Sequence, residues 1–275
     1  MQALDLGTGL PMPVLGFGTW QLPGQPCVDG VLEALDLGYR HIDTARIYKN
    51  EAEVGRALAQ SPVPRDQVFV TTKIWWDDLH PERIADATQA ALERLDLDRV
   101  DLLLIHWPRF EQGTLEQQVA AFADVQARGW TTHIGVSNFN SGMVHRAAAV
   151  ARIAVNQVEY HPYLAQTAVL DACRAHDVAL TAYSPLARGQ LLQDPVLSEI
   201  GARHDRSAAQ VALRWLTQQA GVSAIPKASS TRNRSANLAS QTFDLTAAEM
   251  ATIHALARPD GRVVSPPWAT EWDPS

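Results

Sequence analysis

The segment "VDLLLIHW", residues 100–107, decides how the chain folds. Leu102, Leu103, Leu104 and Ile105 follow one another with no polar residue between them. In a strand, successive side chains point to opposite faces, so such a run has no face fit for water. Strands buried on both faces belong to parallel sheets covered by helices. The run then stops at His106 and Trp107, where a functional strand end would lie.

Outward from this strand the same unit repeats. Upstream, "PERIADATQAALERL" (81–95) predicts a helix with Pro81 in its first turn, where a missing N–H costs nothing. Before it come "QVFVTTK" (67–73), a strand, and "EAEVGRAL" (51–58), a helix with Val54, Ala57 and Leu58 on one face. "HID" (41–43) is a short strand. In "PCVDGVLEALDLGYR" (26–40), Val28, Val31, Leu32 and Leu35 share a helical stripe that Gly38 closes. "MPVLGFGTW" (12–20) reads as the first strand.

Downstream, a helix over 115–128 leads to the strand "HIGVSNF" (133–139), and a helix over 141–150 to "AVNQVEY" (154–160). A helix over 166–176 precedes the strand "ALTAYSPL" (179–186). "SAAQVALRWL" (207–216) opens on a Ser207…Gln210 capping box, and "GVSAIPK" (221–227) is the eighth strand. Helices follow over 231–239 and from a Thr246…Glu249 capping box.

This alternation predicts an α/β fold: a (β/α)8 TIM barrel in a single domain over residues 1–275, with an extra C-terminal helix. The Pro-rich, irregular stretch 259–275 is expected to lie as a tail over the barrel mouth. The competing architecture, an open doubly wound sheet, would carry G-x-G-x-x-G after its first strand. Here Gly16 and Gly18 are present, but Gln21 stands at the third glycine position.

Composition narrows the classes. A hydrophobic fraction of 46% and a charged fraction of 19% describe an ordinary globular chain. A net charge of −7 argues against a nucleic-acid or anionic-membrane binder. Two isolated cysteines, Cys27 and Cys173, exclude a disulfide framework and a zinc motif, which points to a reducing cytoplasm. The opening residues lack the basic and apolar regions of a signal peptide, and no apolar run is long enough to span a membrane. No metal site and no dimerisation helix is read, so the expectation is a monomer acting on a small molecule.

In a barrel, the chemistry sits at the C-terminal strand ends. Those ends give Gly18-Thr19-Trp20, Asp43, Lys73, His106-Trp107, Ser137-Asn138, Gln157 with Tyr160, Tyr183-Ser184, and Lys227. Taken singly, Asp43 could cap a turn, Lys73 could be solvated and His106 could bind a loop carbonyl. Jointly, with Tyr48 five positions past Asp43, they form a set with a purpose. A free phenol has a pKa of about 10, too high for easy proton donation at neutrality. A neighbouring ammonium favours phenolate and lowers that value, an aspartate fixes the ammonium, and a histidine can orient a carbonyl. The expectation is a Tyr48 pKa drawn down toward neutrality. The same lysine could instead form a Schiff base, as in a class I aldolase. A cofactor-binding protein without turnover is a third reading.

The ordered motifs "GYRHIDTARIYKNEAEVG", "VTTKIW", "DLLLIHWP", "IGVSNFN", "NQVEYHPY", "AYSPLARG" and "AIPKASS" resemble the successive signatures of the aldo-keto reductases, from Gly16 to about Leu238. The closing "GRVVSPPWATEWD" is similar to a bacterial branch of that family acting on 2,5-diketo-D-gluconate and methylglyoxal. The resemblance implies hydride transfer from a nicotinamide to a carbonyl carbon. Tyr48 would donate the proton, Lys73 and Asp43 would tune it, and His106 would orient the carbonyl oxygen. Ser137, Asn138 and Gln157 would hold the carboxamide, and Tyr183 would stack on the nicotinamide ring. Ser184, Leu186 and the loop through Gly189 would follow the pyrophosphate, with Gly18, Thr19, Asp43 and Asn237 completing the cofactor set. Trp20, Trp75 and Trp107 would join His106 around the substrate.

The family reads the 2′-phosphate of NADPH with a Lys-Ser pair and an arginine six residues beyond the lysine. This chain keeps Lys227 but has Ala228 and Asn233 at the other two positions. Ser229, Ser230, Arg232 and Arg234 crowd the same turn, so NADPH is expected over NADH.

Overall fold

The computed structural model describes residues 2–269 and 271–273. Strands β1 (Ala3–Leu4) and β2 (Met12–Pro13) pair antiparallel as a small hairpin. Eight further strands then run parallel, each hydrogen-bonded to its neighbours in chain order. They are β3 (Phe17–Gly18), β4 (His41–Asp43), β5 (Phe69–Ile74), β6 (Val100–Ile105), β7 (Thr131–Ser137), β8 (Val155–Glu159), β9 (Ala179–Tyr183) and β10 (Val222–Ala224).

A parallel bridge between Leu15 and Ala224 joins the last strand to the first. Gly16 N–H donates to Ala224 O at 2.9 Å, and Ala224 N–H to Val14 O at 2.8 Å, so the sheet closes into a (β/α)8 barrel. At the seam, a Cβ on Gly18 would lie 2.8 Å from the Ile225 carbonyl oxygen. Backbone approach at that point requires glycine.

The outer helices are α1 (Gln25–Leu37), α2 (Glu51–Gln60), α3 (Ile84–Leu95), α4 (Leu115–Ala127), α5 (Ser141–Val150), α6 (Thr167–Ala175), α7 (Pro195–His204), α8 (Ala208–Thr217), α9 (Thr231–Leu238) and α10 (Ala247–His254). Gly38 ends α1 in the left-handed region, φ 108°, with its N–H on Ala34 O and Leu35 O. The capping boxes at Ser207 and Thr246 are both formed.

β6 carries out the reading of the deciding segment. Leu103 and Ile105 belong to the large core between sheet and helices, while Leu102 and Leu104 join Phe69 and Val155 in a separate cluster. That second cluster takes in Leu6 and Met12 from the β1–β2 hairpin. The hairpin therefore packs on the barrel's own filling and leaves the opposite, C-terminal end for the site.

Two element predictions are corrected and one helix is added. The single first strand over 12–20 is two strands, because Met12 and Pro13 pair with the N-terminal hairpin rather than with the barrel. Pro81 precedes α3, which starts at Ile84 after a turn. Helix α7 lacks a sequence counterpart in the predicted set; Asp194 caps it, accepting from Leu197 N–H at 2.9 Å, with Pro195 in the first turn.

Candidate active site

Asp43 ends β4, Lys73 lies near the end of β5, and His106 follows β6. Tyr48 stands on a single 3-10 turn, Arg46–Tyr48, stopped by Lys49 in the left-handed region at φ 57°. The ends of three neighbouring strands and this one turn set the four side chains on one rim.

Lys73 is fully buried, and its Nζ donates to Asp43 Oδ1 at 2.5 Å, to Thr44 O at 2.8 Å and to Tyr48 Oη at 3.4 Å. An ammonium has three hydrogens, so its donors are fully committed. The other Asp43 oxygen accepts from Gln157 Nε2 at 2.8 Å. Because the phenol oxygen accepts from Lys73, its own O–H stays available to a substrate.

The expected lowering of the Tyr48 pKa is not what the structure gives. Burial, then the charges of Asp43 and Tyr183, push the phenol well above its ordinary value. The physical reason is first the burial of the phenol, and Lys73 lies nearly an ångström closer to Asp43 than to the phenol oxygen. Burial also pulls the Lys73 pKa down, against the upward pull of Asp43. Tyr48 is thereby held in its protonated form.

His106 is held neutral: burial, and then the Lys73 charge, keep its pKa well below the usual range. Its ring stands edge-on to Tyr48 at 5.7 Å and to Trp75 at 5.0 Å. Asn138 Nδ2 donates to the His106 backbone oxygen at 2.9 Å. The His106 Nδ1 is enclosed and lacks a partner among the described residues.

Ser137, Asn138, Gln157 and Tyr183 form one continuous shelf. Tyr183 Oη donates to Asn138 Oδ1 at 2.7 Å, and Ser137 Oγ to Gln157 O at 2.7 Å. Asn138 adopts a left-handed conformation, φ 63°, and its buried amide also donates to Ser137 Oγ at 3.1 Å. Thr19 anchors to the Asp43 carbonyl through both its N–H and its hydroxyl, each at 3.0 Å. Beyond Tyr183 the chain kinks repeatedly: Ser184, Ala187, Arg188 and Gly189 all have positive φ. The half-buried Leu186 lies within that loop.

The expected group of three cations separates. Lys227, Ser229 and Arg232 are exposed, and among the described residues neither Lys227 nor Arg232 has a carboxylate partner. Arg234 turns inward instead. Its guanidinium bonds Glu33 and the Ala228 oxygen, and lies 5.9 Å from the Phe17 ring. Asn237 is buried on the inner face of α9.

Indoles line the other side. Trp20 is 47% exposed and leans on Tyr48 at a ring separation of 4.8 Å. Trp268 of the tail stands edge-on to Trp76 at 4.1 Å, Trp107 at 4.9 Å and Trp75 at 6.1 Å. Trp107 itself is buried beneath the tail. Trp76 was missed in the sequence, although its position beside Trp75 one step past β5 was a signal. Trp272 packs 5.9 Å from Trp107 and is covered by Arg262 at 4.0 Å.

The tail holds to the barrel at fixed points. The buried Glu159 carboxylate accepts from Val263 N–H at 2.6 Å and Val264 N–H at 2.8 Å. Asp273 accepts from Ser141 N–H and Ser141 Oγ, both at 2.7 Å. Among the described residues, no group of three His, Cys, Asp or Glu is placed to hold a metal ion.

A parallel barrel with a buried Asp-Lys pair, a phenol and a neutral imidazole at its mouth is a reductase-like site. The chain belongs to the aldo/keto reductase family, whose family model matches residues 14–258. It is 39% identical over 269 residues to methylglyoxal reductase DkgB of Escherichia coli O157:H7, covering 96% of this chain and all of that one. An aldo-keto reductase of Mycolicibacterium vanbaalenii is 43% identical over 247 residues, covering 89% of this chain and 88% of that protein. Among solved structures, a putative 2,5-diketo-D-gluconic acid reductase B superposes with a TM-score of 0.93 at 45% identity, covering 96% of this chain and 94% of that one.

Proposed function

We propose that the chain reduces aldehydes or ketones with a nicotinamide cofactor, NADPH in preference to NADH. The observation that carries this reading is the Asp43–Lys73–Tyr48 line of hydrogen bonds ending beside the neutral His106. When bound, the cofactor would supply the hydride that adds to the carbonyl carbon. Tyr48 would give its proton to the carbonyl oxygen, and the proton would be replaced from solvent. His106, being neutral, can donate a hydrogen bond that orients that oxygen without carrying charge into the pocket.

The residues present fit a dinucleotide. Asn138 and the Tyr183 ring would hold the nicotinamide end with Ser137 and Gln157. Gln157 would contribute through its Oε1 and the second hydrogen of its amide nitrogen, the first being on Asp43. Gly18, Thr19, Ser184, Leu186, Gly189 and Asn237 would complete the cofactor contacts. Lys227, Ser229 and Arg232 offer exposed donors for a 2′-phosphate beside the N-terminus of α9. Trp20, Trp75 and Trp107 would shape the space for a small dicarbonyl, aldehyde or keto-sugar acid. The two similar proteins named for methylglyoxal and diketogluconate support that class of substrate. We further read the enzyme as a cytoplasmic monomer; no described helix is long and apolar enough to cross a membrane, and both cysteines are free and buried.

The aldolase reading loses its basis here, because a Schiff-base lysine needs a free amine and Lys73 Nζ is bonded to three acceptors. The test is an NADPH-coupled assay across aldehydes, dicarbonyls and keto acids, run beside Tyr48→Phe. The expected result is turnover in the native chain and a loss of about 100-fold or more in the variant, with cofactor binding kept. Equal turnover in the two proteins would overturn the assignment of Tyr48.

A further inference from the structure

Asn50 occupies the N-cap position of α2, yet its side chain makes no cap hydrogen bond. An asparagine there ordinarily satisfies the first backbone N–H groups of its helix. This one is completely buried and turned the other way. Its Nδ2 donates to Thr19 O at 2.9 Å and to Leu22 O at 3.0 Å, while its Oδ1 accepts from Thr44 Oγ1 at 2.8 Å.

Each of these partners leads to the site. Thr19 and Leu22 bracket the turn that carries Trp20, and Trp20 rests on the Tyr48 ring. Thr44 supplies the carbonyl that holds Lys73 Nζ at 2.8 Å. Asn50 itself stands two residues past Tyr48, just beyond the left-handed Lys49. One amide thus ties together the loop after β3, the end of β4 and the turn bearing the phenol. Its two amide hydrogens meet two carbonyls, an arrangement no carboxylate or aliphatic side chain can replace.

We infer that Asn50 is a positioning residue, which holds the Trp20 turn against the Tyr48 phenol and keeps the Thr44 carbonyl beneath Lys73. The inference rests on the reading of Tyr48 as proton donor. Misplacement of a reacting group by about 1 Å costs on the order of 100-fold in rate. Loosening of this tie therefore acts on turnover more than on cofactor affinity, because, of the proposed cofactor contacts, Asn50 bonds only Thr19, at the backbone carbonyl.

The test uses Asn50→Asp, a near-isostere that keeps the acceptor for Thr44 and loses both donors, with Asn50→Ala as a second variant. Three quantities are read in the full-length folded proteins: amide exchange of residues 20–22, the NADPH dissociation constant, and kcat. The expected result is exchange at least about tenfold faster in the Trp20 turn, kcat lower by about 10- to 100-fold, and NADPH affinity within about twofold. Unchanged exchange in both variants would overturn the tie. Faster exchange with native kcat, or a loss of NADPH binding as large as the loss of kcat, would overturn the positioning role. A native protein without carbonyl-dependent turnover would defeat the reductase reading, while the exchange measurement still decides the tie.

Discussion

Arg232 and Arg234 are two residues apart, and their environments assign them opposite work. Arg234 is a buried strut between α9 and α1, meeting Glu33 and the Ala228 oxygen beneath the helix. Arg232 is exposed and lacks a protein carboxylate among the described residues. Arg232→Ala is expected to lower kcat/KM for NADPH about tenfold, the worth of one charge-assisted contact, with NADH unaffected. Arg234→Ala is expected to lower stability by about 1–2 kcal/mol in urea unfolding, because the Ala228 carbonyl loses its buried donor. If Arg234→Ala instead gave the selective NADPH defect, the assignment would be reversed. Sequence spacing alone left this choice open, since neither arginine stands at the family's position.

At the scale of elements, the close approach of α2 and α3 depends on Gly55. A Cβ there would lie 2.3 Å from the Leu95 carbonyl oxygen at the end of α3. Backbone cannot yield as a flexible side chain can, so Gly55→Ala is expected to cost about 1–3 kcal/mol despite its better helix propensity. A urea midpoint at or above the native one would show that the helices part freely. Since α2 follows the Tyr48 turn, some loss of activity should accompany the loss of stability. Stripes and capping boxes revealed α1, α8 and α10 because their signals are local. They could not reveal that Met12–Pro13 leaves the barrel for a hairpin, which depends on a partner strand at the N-terminus. Helix α7 was missed although Asp194 and Pro195 mark its start, because it falls outside the strand-helix alternation.

For the whole molecule, buried histidines make acid the weak side. Burial lowers the His41 pKa to about 4, against an ordinary value of 6.5. The unfolded chain therefore takes up a proton at a pH where the folded chain does not. Stability is full above about pH 6.5 and falls as pH drops toward 4, by roughly 3 kcal/mol from this one group. His106, also held neutral by burial, acts in the same direction. Urea midpoints measured at pH 7, 5 and 4 should fall in that order. A midpoint that rose on acidification would mean that His41 is not buried in its neutral form.

The sequence by itself determined the barrel, the order of its strands and which polar residues stand at the strand ends. Those follow from local signals: apolar runs, helical stripes and motifs read in chain order. The tertiary structure alone decided how charge is shared among those residues. Lys73 sits at 2.5 Å from Asp43 and 3.4 Å from Tyr48, and burial keeps the phenol protonated rather than drawn toward phenolate. It likewise decided that Arg234 is structural, that Trp268 enters the indole wall, and that Asn50 ties three loops together. A pKa, an ion pair and a buried amide depend on distances between segments far apart in the chain, and no spacing along the sequence encodes them.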